Sequence, residues 1–273
     1  MKISCTNVFG AAGSLSVTND DNTAQDIDHI LTPTFDQAYT SNGSSTTFTI
    51  YKTFTSAEDI EYVAIAGHNF SDLANAAPNL TIEVNGVEKA DIDFSSDDES
   101  NWIIMVHFDS VSASNIQIEL TKDSADAATI SYVAAGELLD TAFTFASNNE
   151  RGGYPKAWAA PNREYEVAKT WGGLPVSMLT RTVTQRIRLN IPDVARSVIT
   201  SAAWKNFCAL CGPNGDGSFF IKEDDGDTTG VADDPMSSYL CIMPMINQPK
   251  TNRKTRALVD LGISFEAVNG YNS

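Results

Sequence analysis

The sequence predicts a mainly β protein in two parts: an N-terminal antiparallel sandwich of the jelly-roll kind and a second β domain that carries one packed helix. Three observations lead there. Apolar residues of the first half come in bursts of about five separated by Ser-, Asp- and Asn-rich turns, the pattern of short strands. Helical periodicity is confined to one stretch after residue 200. The charge divides unevenly: residues 1–150 hold 4 basic and 23 acidic residues, a balance of −19, whereas residues 151–273 hold 14 basic and 12 acidic, a balance of +2.

The expected strands of the first part are 48–50, 62–66, 80–84, 102–108, 116–120 and 130–134. Asn85-Gly86 follows Leu-Thr-Ile-Glu-Val at 80–84 and precedes Val87, and Asn-Gly is the preferred pair of a two-residue type I′ hairpin because both positions reach positive φ. The polar, Gly-rich, Pro-ended run 146–155 reads as a linker. The expected division is therefore 1–148 for the sandwich and 149–273 for the second domain, with the boundary between about 145 and 165.

In the second part, stretch 180–190 alternates. Val183, Ile187 and Leu189 share a face with Arg181 and Gln185, and Thr182, Thr184, Arg186 and Arg188 share the other. Stretch 258–267 is the cleanest alternation in the chain, with Val259, Leu261, Ile263, Phe265 and Ala267 on one side. Between them Ser201 is placed to cap a helix whose Trp204, Phe207, Cys208 and Cys211 fall at i, i+3, i+4 and i+7, and Gly212-Pro213 ends it.

Composition excludes several function classes. A formal charge of −17 speaks against nucleic acid or an anionic membrane as the main partner. The start of the chain has one early Lys and no continuous apolar run, so neither a secretory signal nor a membrane span is expected. Four cysteines, Cys5, Cys208, Cys211 and Cys241, are too sparse for a disulfide framework and are expected as reduced thiols.

The motif search returns no catalytic constellation. Cys208-Ala-Leu-Cys211 has the spacing of a zinc or redox pair, yet the helical arithmetic explains both thiols as core residues. His29, His68 and His107 form no metal-binding spacing. The acidic run 222–235 and Asp97-Asp98-Glu99 offer hard oxygens for Ca²⁺ but lack the alternation of an EF-hand loop, so solvated loops are expected. No Gly-x-Ser-x-Gly or phosphate-cradling glycine motif is present; Ser14 and Ser45 sit in turn-like Ser/Gly stretches. Carboxylates are numerous, so a glycosidase pair stays open as an alternative that only their separation in space would test. No catalytic residue, metal or cofactor is expected.

Stretch 60–70, Ile-Glu-Tyr-Val-Ala-Ile-Ala-Gly-His-Asn-Phe, together with 130–138, Ile-Ser-Tyr-Val-Ala-Ala-Gly-Glu-Leu, resembles the galactose-binding-like sandwich of some tailed-phage tail-tip proteins. The order that follows, a basic strand at 181–190, a helix with Trp204 and Phe207, Phe-Phe-Ile-Lys at 219–222, Tyr-Leu-Cys-Ile at 239–242 and a closing Gly-Ile-Ser-Phe-Glu-Ala, resembles the ring-forming β domain of distal tail and tail-tube proteins. Distal tail proteins usually place the ring domain first and the accessory sandwich after or within it, and here the order is reversed.

The resemblance implies a non-enzymatic virion component, assembled in the host cytoplasm into a ring, commonly hexameric, at the tail tip or baseplate. Its partners would be other tail proteins and a host-surface glycan. Arg181, Arg186 and Arg188 are then the candidate inter-subunit residues, pairing with acidic residues of a neighbour. The alternative is a monomeric carbohydrate-binding or adhesin module. Trp102, Trp158 and Trp171 would be its stacking residues, although the apolar strand around Trp102 favours a core position and Trp158 and Trp171 flank the linker.

Overall fold

The computed structural model describes residues 2–33, 37–73, 78–94, 103–140, 164–169, 175–181, 185–212, 215–222, 238–246, 250–251 and 258–268. The strands in chain order are β1 (Lys2–Ser4), β2 (Gly13–Thr18), β3 (Tyr39–Thr40), β4 (Thr47–Ala66), β5 (Asn79–Val84), β6 (Val87–Asp93), β7 (Ile103–Thr121), β8 (Thr129–Ile130), β9 (Tyr132–Gly136) and β10 (Leu138–Asp140). They continue with β11 (Glu164–Lys169), β12 (Pro175–Arg181), β13 (Gln185–Ala195), β14 (Ser218–Lys222), β15 (Ser238–Ile246), β16 (Lys250–Thr251) and β17 (Leu258–Val268); α1 (Arg196–Thr200) and α2 (Ala202–Leu210) lie between β13 and β14.

Two pairs of expected strands are halves of longer ones. Stretches 48–50 and 62–66 both belong to β4, and 102–108 and 116–120 both to β7, as far as they are described. The two pair antiparallel along their lengths, and the register breaks between Thr53 and Glu58 and again between Ile60 and Tyr62. At the first break the strand pair bends, as register breaks in long strands do. The first half of β4 joins β2 and the second half of β7, which continues to β5 and β6; the second half of β4 joins β9 and the first half of β7. Ile50, Ile82, Ile118 and Leu120 from one side and Val63, Ile65, Ile104, Val106 and Val133 from the other enter one buried core, so the bent sheet closes on itself as a sandwich.

The Asn85-Gly86 hairpin forms as expected, with φ of 54° and 72°. Asn85 does more than turn the chain. Its Nδ2 donates to the Ser112 carbonyl and its Oδ1 accepts from the Ser114 and Asn115 backbone N–H groups at 2.8 and 3.3 Å, so it fastens the hairpin tip to the bend of β7.

A second sheet runs β10-β1-β14-β15-β17-β13, with β16 also on β17. Its strands come from both sides of residue 148: β1 and β10, expected within the sandwich, hydrogen-bond instead to each other, and β1 to β14. Strands of three residues are too short for alternation to show which sheet they join. The sandwich strands are therefore bracketed in the chain by β1 and β10.

The faces of the second sheet divide the remaining apolar residues. Phe219, Ile221, Cys241, Val259, Leu261, Ile263 and Phe265 point to one side, where α2 adds Trp204 and Phe207. Ser201 caps α2 as expected, its Oγ accepting from the Trp204 N–H at 3.1 Å. Short α1, unforeseen, packs Val198 and Ile199 on the same cluster. Phe220 and Leu240 point the other way, against Tyr62, Ala64, Ala66, Met105, Tyr132 and Ala134 on the outer side of β4, β7 and β9. The alanines let the two sheets approach, and Tyr132 stacks on Phe220 with ring centroids 5.7 Å apart.

Candidate functional site

The second sheet thus covers one broad face of the sandwich and leaves the other, formed by β2, β4, β7, β5 and β6. Strand alternation fixes what that outer face presents. Ile50, Ile82 and Ile118 turn inward, so their neighbours turn out: Thr47 and Tyr51 of β4, with Thr49 between them buried among its neighbours, Gln117, Glu119 and Thr121 of β7, Asn79, Thr81 and Glu83 of β5, and Glu88, Asp91 and Asp93 of β6. Register aligns them in rows across the strands. Tyr51 opposes Gln117, Gln117 opposes Glu83, and Glu83 opposes Glu88. The next row is Thr49, Glu119, Thr81 and Asp91.

Side chains within these rows bind one another. The Thr49 hydroxyl and the Gln117 amide both donate to Glu119 Oε2 at 3.3 Å, and the Asn79 amide donates to Asp91 and to Asp93, the latter at 2.9 Å. Tyr51, half-buried, supplies a ring flank beside them. The face offers ordered donors and acceptors and an aromatic edge, and its sequence signal was the polar alternation of β5 and β7, which the linear reading took only as strand.

One end of the sandwich is held by a buried ion pair. Lys122 Nζ lies 2.9 Å from Asp20 Oδ2, with both side chains fully buried. Asp20 also accepts from the Ser41 hydroxyl at 2.7 Å and from the Ser44 and Ser45 N–H groups, and Lys122 also donates to the Asp126 carbonyl. Burial works against the charged carboxylate, but these hydrogen bonds and the Lys122 charge outweigh it and hold the Asp20 carboxyl at about 2. Asn19 and Asp20 have φ of 58° and 117°, so the chain accepts an uncommon backbone there to place this carboxylate.

His68 lies in the turn after β4, stacked on Phe70 at 4.4 Å and edge-on to Phe94 at 5.9 Å. Its Nδ1 accepts from the Phe70 N–H, which puts the proton of the neutral ring on Nε2. Nε2 is buried without an acceptor among the described residues, and burial pushes the imidazole down to about 3.

The residues expected to carry function are dispersed. Arg186 and Arg188 lie in β13 opposite Glu266 and Ser264 of β17, and Arg181 ends β12 opposite Glu164 of β11, in a separate two-stranded ribbon. Cys208 and Cys211 pack half-buried on the α2 side of the second sheet near buried Cys241. Burial raises the Cys208 thiol, pushes Cys211 up to about 12 and raises Cys241 well above its ordinary value, which leaves these thiols protonated and poor nucleophiles. His29, His68 and His107 stand apart, and no group of three metal ligands forms among the described residues. Trp102, Trp158, Trp171, Asp97-Asp98-Glu99 and nearly all of the acidic run 222–235 lie outside the described residues.

No family model matches the chain, and no curated protein matches it. Solved structures similar to it include a GH29 fucosidase of Ruminococcus gnavus in complex with fucose, at 13% identity and a TM-score of 0.40. A mutant of the lectin binding domain of Lectinolysin complexed with Lewis b is similar at 12% identity and 0.37, and chitosan-binding module 1 of a Paenibacillus sp. IK-5 chitosanase/glucanase at 8% and 0.35. Each comparison covers 48% of this chain; it spans 26% of the fucosidase chain, 95% of the lectin domain and 98% of the chitosan-binding module. Nothing in these comparisons points to a phage tail-tip protein.

Proposed function

We propose that the chain is a non-catalytic glycan-binding protein that recognises its ligand on the outer face of the sandwich. The observation that supports this reading is the composition of the face. Hydroxyl, amide and carboxylate groups stand in registered rows beside half-buried Tyr51, on rigid strands whose other side is a closed core. A sugar chain presents hydroxyls at close intervals and apolar ring faces, and a surface with both acceptors and donors and an aromatic flank complements it. The second sheet acts as the mount, since its Phe220 and Leu240 occupy the opposite side of the sandwich.

The test is a glycan array probed with the full chain, followed by titration of the best ligand. Saturable binding that Tyr51→Ala and Gln117→Ala each weaken by about tenfold, roughly 1.4 kcal/mol, is expected. An array without signal contradicts the reading. Turnover of a polysaccharide that disappears on replacing one carboxylate would move the chain to the glycosidase class.

A second reading, a ring subunit of a tailed-phage tail within the virion, is favoured by two features. The sandwich strands sit between β1 and β10, so the second sheet begins in the chain before the sandwich, an order that suits an accessory sandwich inserted within a ring domain. Eleven-residue β13 is hydrogen-bonded on one side only among the described residues, which suits pairing with a neighbouring subunit. Native mass spectrometry separates the readings: a closed ring sensitive to Arg186→Glu and Arg188→Glu supports assembly, and a monomer that binds glycan supports the first reading alone.

A further inference from the structure

We infer that Asn42 is a site of spontaneous covalent modification, deamidation through a cyclic imide with Gly43, and that its iso-aspartyl product loosens the seat of Asp20. Asn-Gly occurs four times in the chain, at 42–43, 85–86, 214–215 and 269–270, and the first two pairs lie wholly within the described residues. Glycine opens an asparagine to this reaction because it has no Cβ to block the approach of its own nitrogen to the asparagine side chain. The Gly43 nitrogen attacks Asn42 Cγ; the N–Cγ bond forms, the Cγ–Nδ2 bond breaks, and Nδ2 leaves as ammonia with the proton of the Gly43 N–H. Water then opens the imide at either carbonyl. One opening gives aspartate in the ordinary linkage, and the other gives iso-aspartate, whose main chain runs through the former side chain and is one carbon longer.

The two described pairs differ in what holds the asparagine. Asn85 is tied at both ends of its amide: Nδ2 donates to the Ser112 carbonyl at 3.0 Å, and Oδ1 accepts from the Ser114 N–H and hydroxyl and from the Asn115 N–H at 2.8, 3.0 and 3.3 Å. These bonds fix Cγ against β7 and must break before the Gly86 nitrogen reaches it. Exposed Asn42 has one side-chain bond among the described residues, from Nδ2 to the Ser44 hydroxyl at 3.4 Å, the long limit of a hydrogen bond. The Gly43 N–H has no partner among the described residues. The fold also keeps the glycine at this place: Gly43 has φ of 66°, and a Cβ there would stand 3.1 Å from the Ala127 nitrogen and 3.2 Å from the Ala125 carbonyl oxygen.

Residues 42 and 43 separate the groups that grip Asp20. On one side the Ser41 hydroxyl donates to Oδ2 at 2.7 Å, and Ser41 is itself fixed by its N–H to the Ala128 carbonyl and by the Ala128 N–H to its hydroxyl. On the other, the Ser44 and Ser45 N–H groups donate to Oδ1 at 2.6 and 3.2 Å. Between them the Asn42 N–H donates to the Asp20 carbonyl at 3.1 Å. One extra main-chain carbon between Ser41 and Ser44 moves one side off the carboxylate, and that carboxylate is the buried counter-charge of Lys122.

The full chain is held at mildly alkaline pH, folded or in guanidinium chloride, and peptides covering 42 and 85 are followed by mass spectrometry, with an isoaspartyl methyltransferase marking the iso-aspartyl product. Expected in the folded chain is conversion at 42 at least about tenfold faster than at 85, because the bonds pinning Asn85 add to its barrier, and similar rates at the two positions in guanidinium. Conversion at 85 as fast as at 42 in the folded chain, or a folded chain intact at 42 where the unfolded one converts, would overturn the assignment. The iso-aspartyl fraction, separated by ion exchange, should show a lower urea midpoint than the unmodified chain, whereas Asn42→Asp, with its ordinary linkage, should keep the midpoint. Equal midpoints for the iso-aspartyl and unmodified chains would overturn the link to Asp20.

Discussion

Lys122 and Asp20 form a fully buried ion pair, 2.9 Å apart and 102 residues apart in sequence, that joins the end of β7 to the turn leaving β2. A buried pair adds little net stability compared with apolar packing, but removing one partner leaves a buried charge and costs about 3–5 kcal/mol. Lys122→Met should therefore lower unfolding stability by that amount, read from urea denaturation. Combining it with Asp20→Leu should recover a large part, because the orphaned charge goes with it. A double variant as unstable as the single one would show that the pair acts through something other than charge balance. Asp20 also sets an acid limit. Its folded-state carboxyl titrates near 2 against 3.8 ordinarily, so its contribution is present above about 3.8 and is lost as pH falls toward 2.

His68 governs a higher pH window. The unfolded chain takes up a proton on this ring below about 6.5, whereas the buried ring refuses it until about 3. The folded state therefore loses stability as pH falls from 6.5 toward 3, by a few kcal/mol in total. Urea midpoints measured at pH values between about 4 and 7 should decline, and His68→Phe should flatten that part of the decline. An unchanged slope in the variant would place the titration elsewhere.

Asn85 is exposed, yet it should be sensitive to replacement. Asn85→Gly keeps the positive φ and loses the bonds to Ser112, Ser114 and Asn115, for an expected loss of about 1–2 kcal/mol; Asn85→Ala adds backbone strain and should lose more. Thermal unfolding of both variants ranks the two terms.

Gly136 closes β9 where the chain crosses residue Thr6. A Cβ there would stand 2.4 Å from the Thr6 hydroxyl and 2.6 Å from its carbonyl oxygen. Gly136→Ala should destabilise by about 1–3 kcal/mol and disturb the neighbouring bond from Tyr62 to the Thr6 carbonyl, seen as a change in tyrosine near-ultraviolet dichroism.

Local chemistry was the legible part of this fold. The Asn85-Gly86 hairpin, the Ser201 cap and the alternation of β17 rest on residue preferences that act within a few positions, and all three appear in the structure. The joining of 48–50 to 62–66 in one bent strand was not legible, because the intervening residues of β4 read as a turn, and it is pairing with β2 as far as Phe54 and with β7 on either side of the register break that keeps the strand continuous. The same holds for β1 and β10, whose sheet is decided by contacts with residues more than 80 positions away. The outer face was readable as polar alternation, but the inward turn of Lys52 and Lys122 and the turn of Lys89 to Phe108 were not, since each depends on contacts made by the folded sandwich.

The most direct test of the central claim is saturation binding of glycans to the full chain and to its Tyr51→Ala variant in parallel. The account predicts a defined ligand on the array whose affinity falls by about tenfold in the variant while the fold is retained. Binding untouched by Tyr51→Ala and by Gln117→Ala on the same face, or no glycan binding at all, would contradict it.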